Sequence, residues 1–341
     1  MKRATGFIRA AMLAAAATLA GCAQGRELPM TTLAPKSDLA VWIYRLLIEV
    51  SLWDALVFAI VMVVFILAIF VFSTRVGEAA APWSAASDLK LEVAWTLGPA
   101  LILLMISIPT VRTIFRSQPN LPPNGSLEIE VVAHQWWWEF QYPGKDHIIT
   151  ANELHIPTGV PIRLSLKSAD IIHSFWVPQL GGKRDVVPGQ INELTFEATV
   201  PGMYPGQCAE FCGESHANMR FRVFVDSPRQ FAEWEKAQSA APIAAALIKD
   251  PAAAAGAQAF SNSPCTACHR IDGVSKGTIG PDLTHFGSRA TMASGIESNT
   301  PAHVAQWIIN PGHVKPGAQM PAFGLGGKQL DDLVAYLESL K

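Results

Sequence analysis

The sequence predicts three parts in series: a two-helix transmembrane hairpin, an all-β sandwich or barrel of the Greek-key kind, and a small all-α domain. Three observations carry that prediction. Two long apolar runs stand between residues 55 and 111, period-two alternation begins near residue 126, and helical patterning returns from residue 251. Composition agrees, because 50% of the 341 residues are hydrophobic and only 16% are charged, a balance tilted toward a membrane protein. A formal net charge of −2 leaves no basic excess for nucleic acid, which sets that class of partner aside.

Residues 1–21 read as an export signal. Lys2, Arg3 and Arg9 make a positive start, and residues 10–20 are apolar but too few to span a bilayer. The stretch ends in Leu19, Ala20, Gly21 and Cys22, which resembles a lipoprotein signal and makes Cys22 the expected lipidation site. An ordinary signal peptide cleaved nearby is the alternative. An exported segment over 22–46 leads into the hairpin, placed at 47–116. Within it, residues 55–72 hold no charge and residues 93–111 lie between Glu92 and Arg112; each run is long enough to cross the hydrocarbon core. Pro99 and Pro109 are tolerable there, since neighbouring groups in a membrane can re-satisfy the freed carbonyls. The charge bias of the connecting loop is weak, so topology rests on parity. An exported N-terminus and two crossings return the rest of the chain to the outside face.

The run Leu127, Glu128, Ile129, Glu130, Val131 alternates with period two, as do parts of 161–166 and 191–200. Short strands at this spacing, bounded by Pro and Gly, place the β domain at 117–226. A stretch rich in Ala and charge over 227–250 reads as a linker or helix. The helical domain occupies 251–341 and closes with an amphipathic helix over 328–340, with Leu330, Leu333, Val334, Tyr336 and Leu337 on its apolar side.

With Cys22 assigned to export, four cysteines remain and fall into two sites, leaving none for a separate structural disulfide. Cys208, Cys212, His216 and Met219 lie within 12 residues, so one loop can present them all, and His173 is the best candidate to close the site. Thiolate, imidazole and thioether together are copper ligands. A mononuclear blue site needs one Cys; two thiolates, two imidazoles and a thioether suit a pair of coppers bridged by both sulfurs. A Cys208–Cys212 disulfide and a Cys2His2 zinc site share the spacing.

Cys265, Cys268 and His269 form a C-x-x-C-H run, the attachment sequence for a c-type haem. Two thioether bonds would hold the macrocycle, with His269 as proximal ligand. Met320, in a loop next to Pro321, is the natural sixth ligand, whereas Met292 lacks such a setting. A His/Met pair raises the reduction potential and leaves no open position for oxygen chemistry. Such a domain carries electrons.

The segments H-S-F-W-V-P from His173 and C-A-E-F-C-G-x-x-H-x-x-M from Cys208 resemble the dinuclear copper (CuA) domain of subunit II of haem–copper cytochrome c oxidase. Residues 251–341 resemble a class I cytochrome c domain, and the fusion resembles the caa-type variant. The resemblance implies a cupredoxin-like sandwich in which His173, Cys208, Cys212, His216 and Met219 are side-chain ligands and Glu210 contributes its backbone carbonyl. It implies further that the Glu210 carboxylate helps hold a magnesium ion at the boundary with the catalytic subunit. The first tryptophan of Trp136, Trp137 and Trp138 would be where electrons enter from cytochrome c, with Glu128, Glu130 and Glu139 available for docking a soluble donor. Glu92 resembles an acidic residue near the mouth of a proton pathway, a solvated loop carboxylate being the alternative. The implied function is electron transfer within a proton-translocating respiratory oxidase in the bacterial inner membrane, with both cofactor domains on the periplasmic side. Cytochrome c or an upstream respiratory complex would be the donor, and subunits I and III the partners. Oxygen reduction belongs to subunit I, so no catalytic residue is expected in this chain. Two other readings share parts of the pattern: a membrane-tethered carrier without an oxidase partner, and kinship with nitrous oxide reductase, whose many-histidine cluster is missing here.

Overall fold

A computed structural model describes residues 28–71, 88–118, 125–144, 148–241 and 248–341. The expected signal and Cys22 lie outside the described residues. The chain divides into two compact units, one of residues 41–118 and one of the remainder.

The first unit is a pair of helices, Asp38–Val71 and Leu89–Ser117, of 34 and 29 residues. At about 1.5 Å per residue even the shorter is about 43 Å long, more than a hydrocarbon core of about 30 Å requires. Phe58, Phe65, Phe70, Leu103 and Phe115 are exposed on them. A helix that is apolar all round and uncovered by protein has lipid as its solvent. Asp88 caps the second helix, its carboxylate accepting from the amides of Lys90 at 3.0 Å and Leu91 at 3.4 Å. The Arg116 guanidinium lies 3.9 Å over the Trp42 ring, an aromatic–cation pair of the kind that suits a membrane boundary. The first helix starts well before the charge-free run at residue 55. Arg45, Glu49 and Asp54 precede that run without ending the helix, because none of them breaks helical backbone.

In the second unit ten strands make a sandwich: β1 Leu127–His134, β2 Trp137–Tyr142, β3 Ile148–Ala151, β4 Glu153–Pro157, β5 Pro161–Ser168, β6 His173–Trp176, β7 Arg184–Val186, β8 Asn192–Glu197, β9 Gly202–Cys208 and β10 Arg220–Asp226. One sheet runs β3-β2-β1-β5-β8 and the other β4-β10-β9-β6-β7. The β1–β5 and β4–β10 pairs are parallel and the rest antiparallel, so the chain crosses repeatedly between sheets. Alternation does what the sequence foretold: Ile129, Val131 and Ala133 of β1 are buried, as are Leu164, Phe175 and Phe221 on other strands. Trp138 is fully buried, with its ring 5.5 Å from Phe175 and 5.4 Å from Phe221.

The stretch after β10 is a helix, Pro228–Gln238, begun by a reciprocal capping box between Ser227 and Gln230. Its Trp234 stacks on His155 at 4.5 Å, while Phe224 stacks on the same imidazole at 4.6 Å. The C-terminal domain is built on helices Pro251–Ser261, Pro301–Ile309 and Gly327–Ser339, with two short antiparallel strand pairs in its loops. Its first and last helices cross at Gly256, where a Cβ would stand 1.9 Å from the Asp332 carbonyl oxygen. Phe260, Ile271, Val304, Leu333 and Tyr336 form the core around that crossing.

Candidate metal centre and haem cavity

The end of β9, the loop after it and the start of β6 converge on one buried point. The Cys208 amide donates to the Met219 carbonyl at 3.0 Å and the Ala209 amide to the Ser174 carbonyl at 2.9 Å, tying both ends of the loop to the sheet. Cys208 Sγ and Cys212 Sγ lie 3.8 Å apart. His173 Nδ1 is 3.8 Å from the first sulfur, and His216 Nδ1 is 3.5 Å from the second. Met219 Sδ is 3.8 Å from Cys212 Sγ, and the Glu210 carbonyl oxygen 3.2 Å from Cys208 Sγ. Glu210 itself is exposed. His173, Cys208, Cys212 and Met219 are all buried.

These separations bear on the chemistries that the spacing left open. A disulfide needs about 2.05 Å between sulfurs, so the observed pair is two free thiols. Two sulfurs 3.8 Å apart suit thiolates that share metal ions at bond lengths of about 2.3 Å. The donor set is soft, closed by a thioether, and richer than the four ligands zinc takes. It therefore fits copper.

The two thiols sit too close to ionise independently. Contact with Cys212 stabilises the Cys208 thiolate and holds that thiol well below its ordinary range, while the same contact pushes Cys212 above it. Asp170, which the sequence reading did not single out, fixes the imidazole: its Oδ1 is 2.7 Å from His173 Nε2, which leaves Nδ1 for the metal side. Burial alone would raise the Asp170 carboxyl, but hydrogen bonds from His173, the Ile171 amide and the Gln135 amide outweigh it and hold the group low. Burial likewise opposes protonation of His173, and its Asp170 and Cys208 partners reverse the balance.

Trp136 joins this centre to a second one. Its Nε1 donates to the Cys212 carbonyl at 2.8 Å, beside Gln135 Nε2 on the same oxygen at 2.8 Å. Trp136 also lines a cavity of about 240 Å³ with Cys265, Cys268, His269 and Met320 on its walls. The three tryptophans thus divide as an alternating strand demands: Trp138 enters the core, while Trp137 turns to the other face, stacks on His134 at 4.2 Å and walls the cavity.

Cys265 and Cys268 are free and half-buried at the ends of one helical turn, Cys265–Cys268. His269 Nδ1 is 2.8 Å from the Pro281 carbonyl, which would leave Nε2 to hold a haem iron. Burial lowers the His269 pKa and keeps the imidazole neutral. Gly280 packs flat against that ring, where a Cβ would lie 2.6 Å from His269 Cε1. Met292 lines the cavity too, but as a core side chain; Met320 comes from the loop beyond residue 314. The residues fit a covalently held haem.

Among the described residues, a buried cluster of soft metal ligands and a cavity beside a C-x-x-C-H turn define a protein built to hold a metal and a haem. Comparison with known proteins makes it specific. Residues 145–225 match the family model "Cytochrome C oxidase subunit II, periplasmic domain", and residues 253–341 match "Cytochrome c". The chain is 33% identical over 331 residues to cytochrome c oxidase subunit 2 of Alkalihalophilus pseudofirmus, covering 95% of this chain and 94% of that one. It is 32% identical over 343 residues to the Bacillus subtilis subunit 2, covering 95% and 94%. Among solved structures, the periplasmic domain of the Bradyrhizobium japonicum subunit II is 33% identical and covers 34% of this chain and 95% of that one, with a TM-score of 0.33. The chain belongs to the cytochrome c oxidase subunit II family, in the form that carries a fused C-terminal cytochrome c domain. Membership implies a copper site in the sandwich, a haem in the C-terminal domain, a role in electron transfer within a terminal oxidase, and a membrane protein with periplasmic domains.

Proposed function

We propose that this chain is the electron-transfer subunit of a bacterial inner-membrane oxidase, holding a dinuclear copper centre and a covalent haem c. The observation that carries the reading is the pair of free thiols 3.8 Å apart, enclosed by two imidazoles, a thioether and a backbone carbonyl. His173, Cys208, Cys212, His216, Met219 and the Glu210 carbonyl would hold the copper pair; Cys265, Cys268, His269 and Met320 would hold the haem. When bound, the two groups supply one-electron carriers between an external donor and the oxygen-reducing subunit I. The chain's own residues do the rest. Asp170 orients His173, the Pro281 carbonyl orients His269, and burial keeps water from the sulfurs. Trp136, bonded to the Cys212 carbonyl and standing on the cavity wall, is the side chain through which electrons reach the sandwich.

The exposed Glu210 carboxylate is free to face a magnesium ion shared with subunit I. Glu92 sits in the first turn of the second membrane helix, where a proton-path carboxylate would meet water. Cytochrome c or an upstream respiratory complex is the donor, subunit III a further partner, and proton translocation a property of the assembled complex. Copper and haem content, with electron paramagnetic resonance, test the reading on the full chain. Two coppers per haem with hyperfine splitting spread over two equivalent nuclei are expected. A single localised copper, or zinc, in copper-supplied protein would sink it.

A further inference from the structure

We infer that Lys315 is a positioning residue that clamps Trp136 between the haem cavity and the Cys212 loop. The inference deepens the role proposed for Trp136 and rests on it. Lys315 belongs to the haem domain, yet its amine is buried and donates to the backbone carbonyl of Trp136 in the sandwich. It also donates to Ser294 Oγ at 2.7 Å, and that hydroxyl donates to the same Trp136 carbonyl at 2.9 Å. Neither acceptor is a carboxylate. A buried amine aimed at one peptide oxygen fixes the position of that peptide rather than neutralising a charge.

The turn that delivers Ser294 is itself strained. Ala293, Ser294 and Gly295 have φ of 49°, 62° and 71°, three left-handed residues in a row, two of them bearing a Cβ. Such a backbone persists where its surroundings over-determine it. Here the sandwich supplies those surroundings. Arg222 Nη2 donates to the Gly295 carbonyl at 2.9 Å, and the buried Glu153 carboxylate accepts from the Thr291 amide at 2.7 Å and its hydroxyl at 2.8 Å. The other end of Trp136 is held as firmly, by the indole bond to Cys212 at 2.8 Å and by Gly213, whose Cβ would fall 3.1 Å from Cζ2. Lys315 leaves the haem domain five positions before Met320. One loop therefore carries both the proposed sixth ligand and the grip on Trp136.

The test uses the full chain loaded with copper and haem, comparing Lys315→Met with Lys276→Met, an exposed lysine of the same domain. Two quantities are read: amide hydrogen exchange at residues 293–295, and electron equilibration between haem and copper after flash reduction. Loss of the two hydrogen bonds from the buried amine should raise that exchange about tenfold or more in Lys315→Met. Displacing the bridging side chain should slow equilibration about tenfold or more. The haem spectrum and copper resonance should stay as in the parent, and Lys276→Met should match the parent throughout. Trp136→Phe should slow equilibration while leaving exchange at 293–295 unchanged, because the clamp grips a backbone carbonyl. Parental exchange and parental equilibration in Lys315→Met would overturn the clamp. If Lys315→Met does not fold, Ser294→Ala, which removes one of the two donors, should shift both readouts the same way by less; parental values there would overturn it equally. Absence of a copper pair from the parent would instead defeat the reading of the site, and exchange at 293–295 alone would then decide the clamp.

Discussion

Asp170 stands three positions before His173 and determines which imidazole nitrogen is left for a metal. Replacing it by Asn keeps the shape and removes the charge-assisted acceptor. Copper affinity should fall about 10- to 100-fold, the usual cost of losing a ligand's supporting partner, as measured by competition against a chelator. The thiol pair adds a pH dependence with a definite sign. In the metal-free protein Cys212 keeps its proton above the ordinary thiol range, whereas both sulfurs must be thiolates to bridge metal. Copper uptake therefore expels at least one proton, and a second where the raised His173 imidazole is still protonated. Affinity should rise at least about tenfold per pH unit through neutrality, and stepped-pH competition titrations would show it. The cluster of candidate ligands was legible in the sequence because soft donors at short spacing are rare. Asp170 and Lys315 were not, since an aspartate in a polar turn and a lysine in a loop look the same whether solvated or buried.

At the scale of elements, the amphipathic last helix and the β alternation could be read from periodicity, which is a local property. The length of the first membrane helix could not, because a window defined by absence of charge stops at Asp54 while the helix continues to Asp38. Gly256 was equally silent in an alanine-rich run. Its meaning lies in the last helix, 76 positions away at Asp332, whose carbonyl occupies the space a side chain would need. Gly256→Val should force the two helices apart and cost about 3 kcal/mol, the upper part of the usual range for overpacking. The midpoint of urea unfolding, followed on the haem-loaded protein, would measure it.

For the whole molecule, the order of parts along the chain was plain, and their assembly was not. Trp136 and Lys315 are 179 positions apart, and no pattern in either segment announces the other. Glu153 and Thr291 meet across 138. Their contact is buried and polar, and buried charges are screened little by salt. That has a kinetic meaning. Two separate proteins that exchange electrons must first collide, so their handover depends on concentration and weakens as salt masks their attraction. Here the haem cavity and the loop of candidate copper ligands already share one polypeptide, and on the proposed relay the step between them is a first-order event. Its rate should be the same in dilute and concentrated protein and at low and high ionic strength, while reduction of the haem by an external donor retains both dependences. The molecule has turned an encounter into a fixed internal clock.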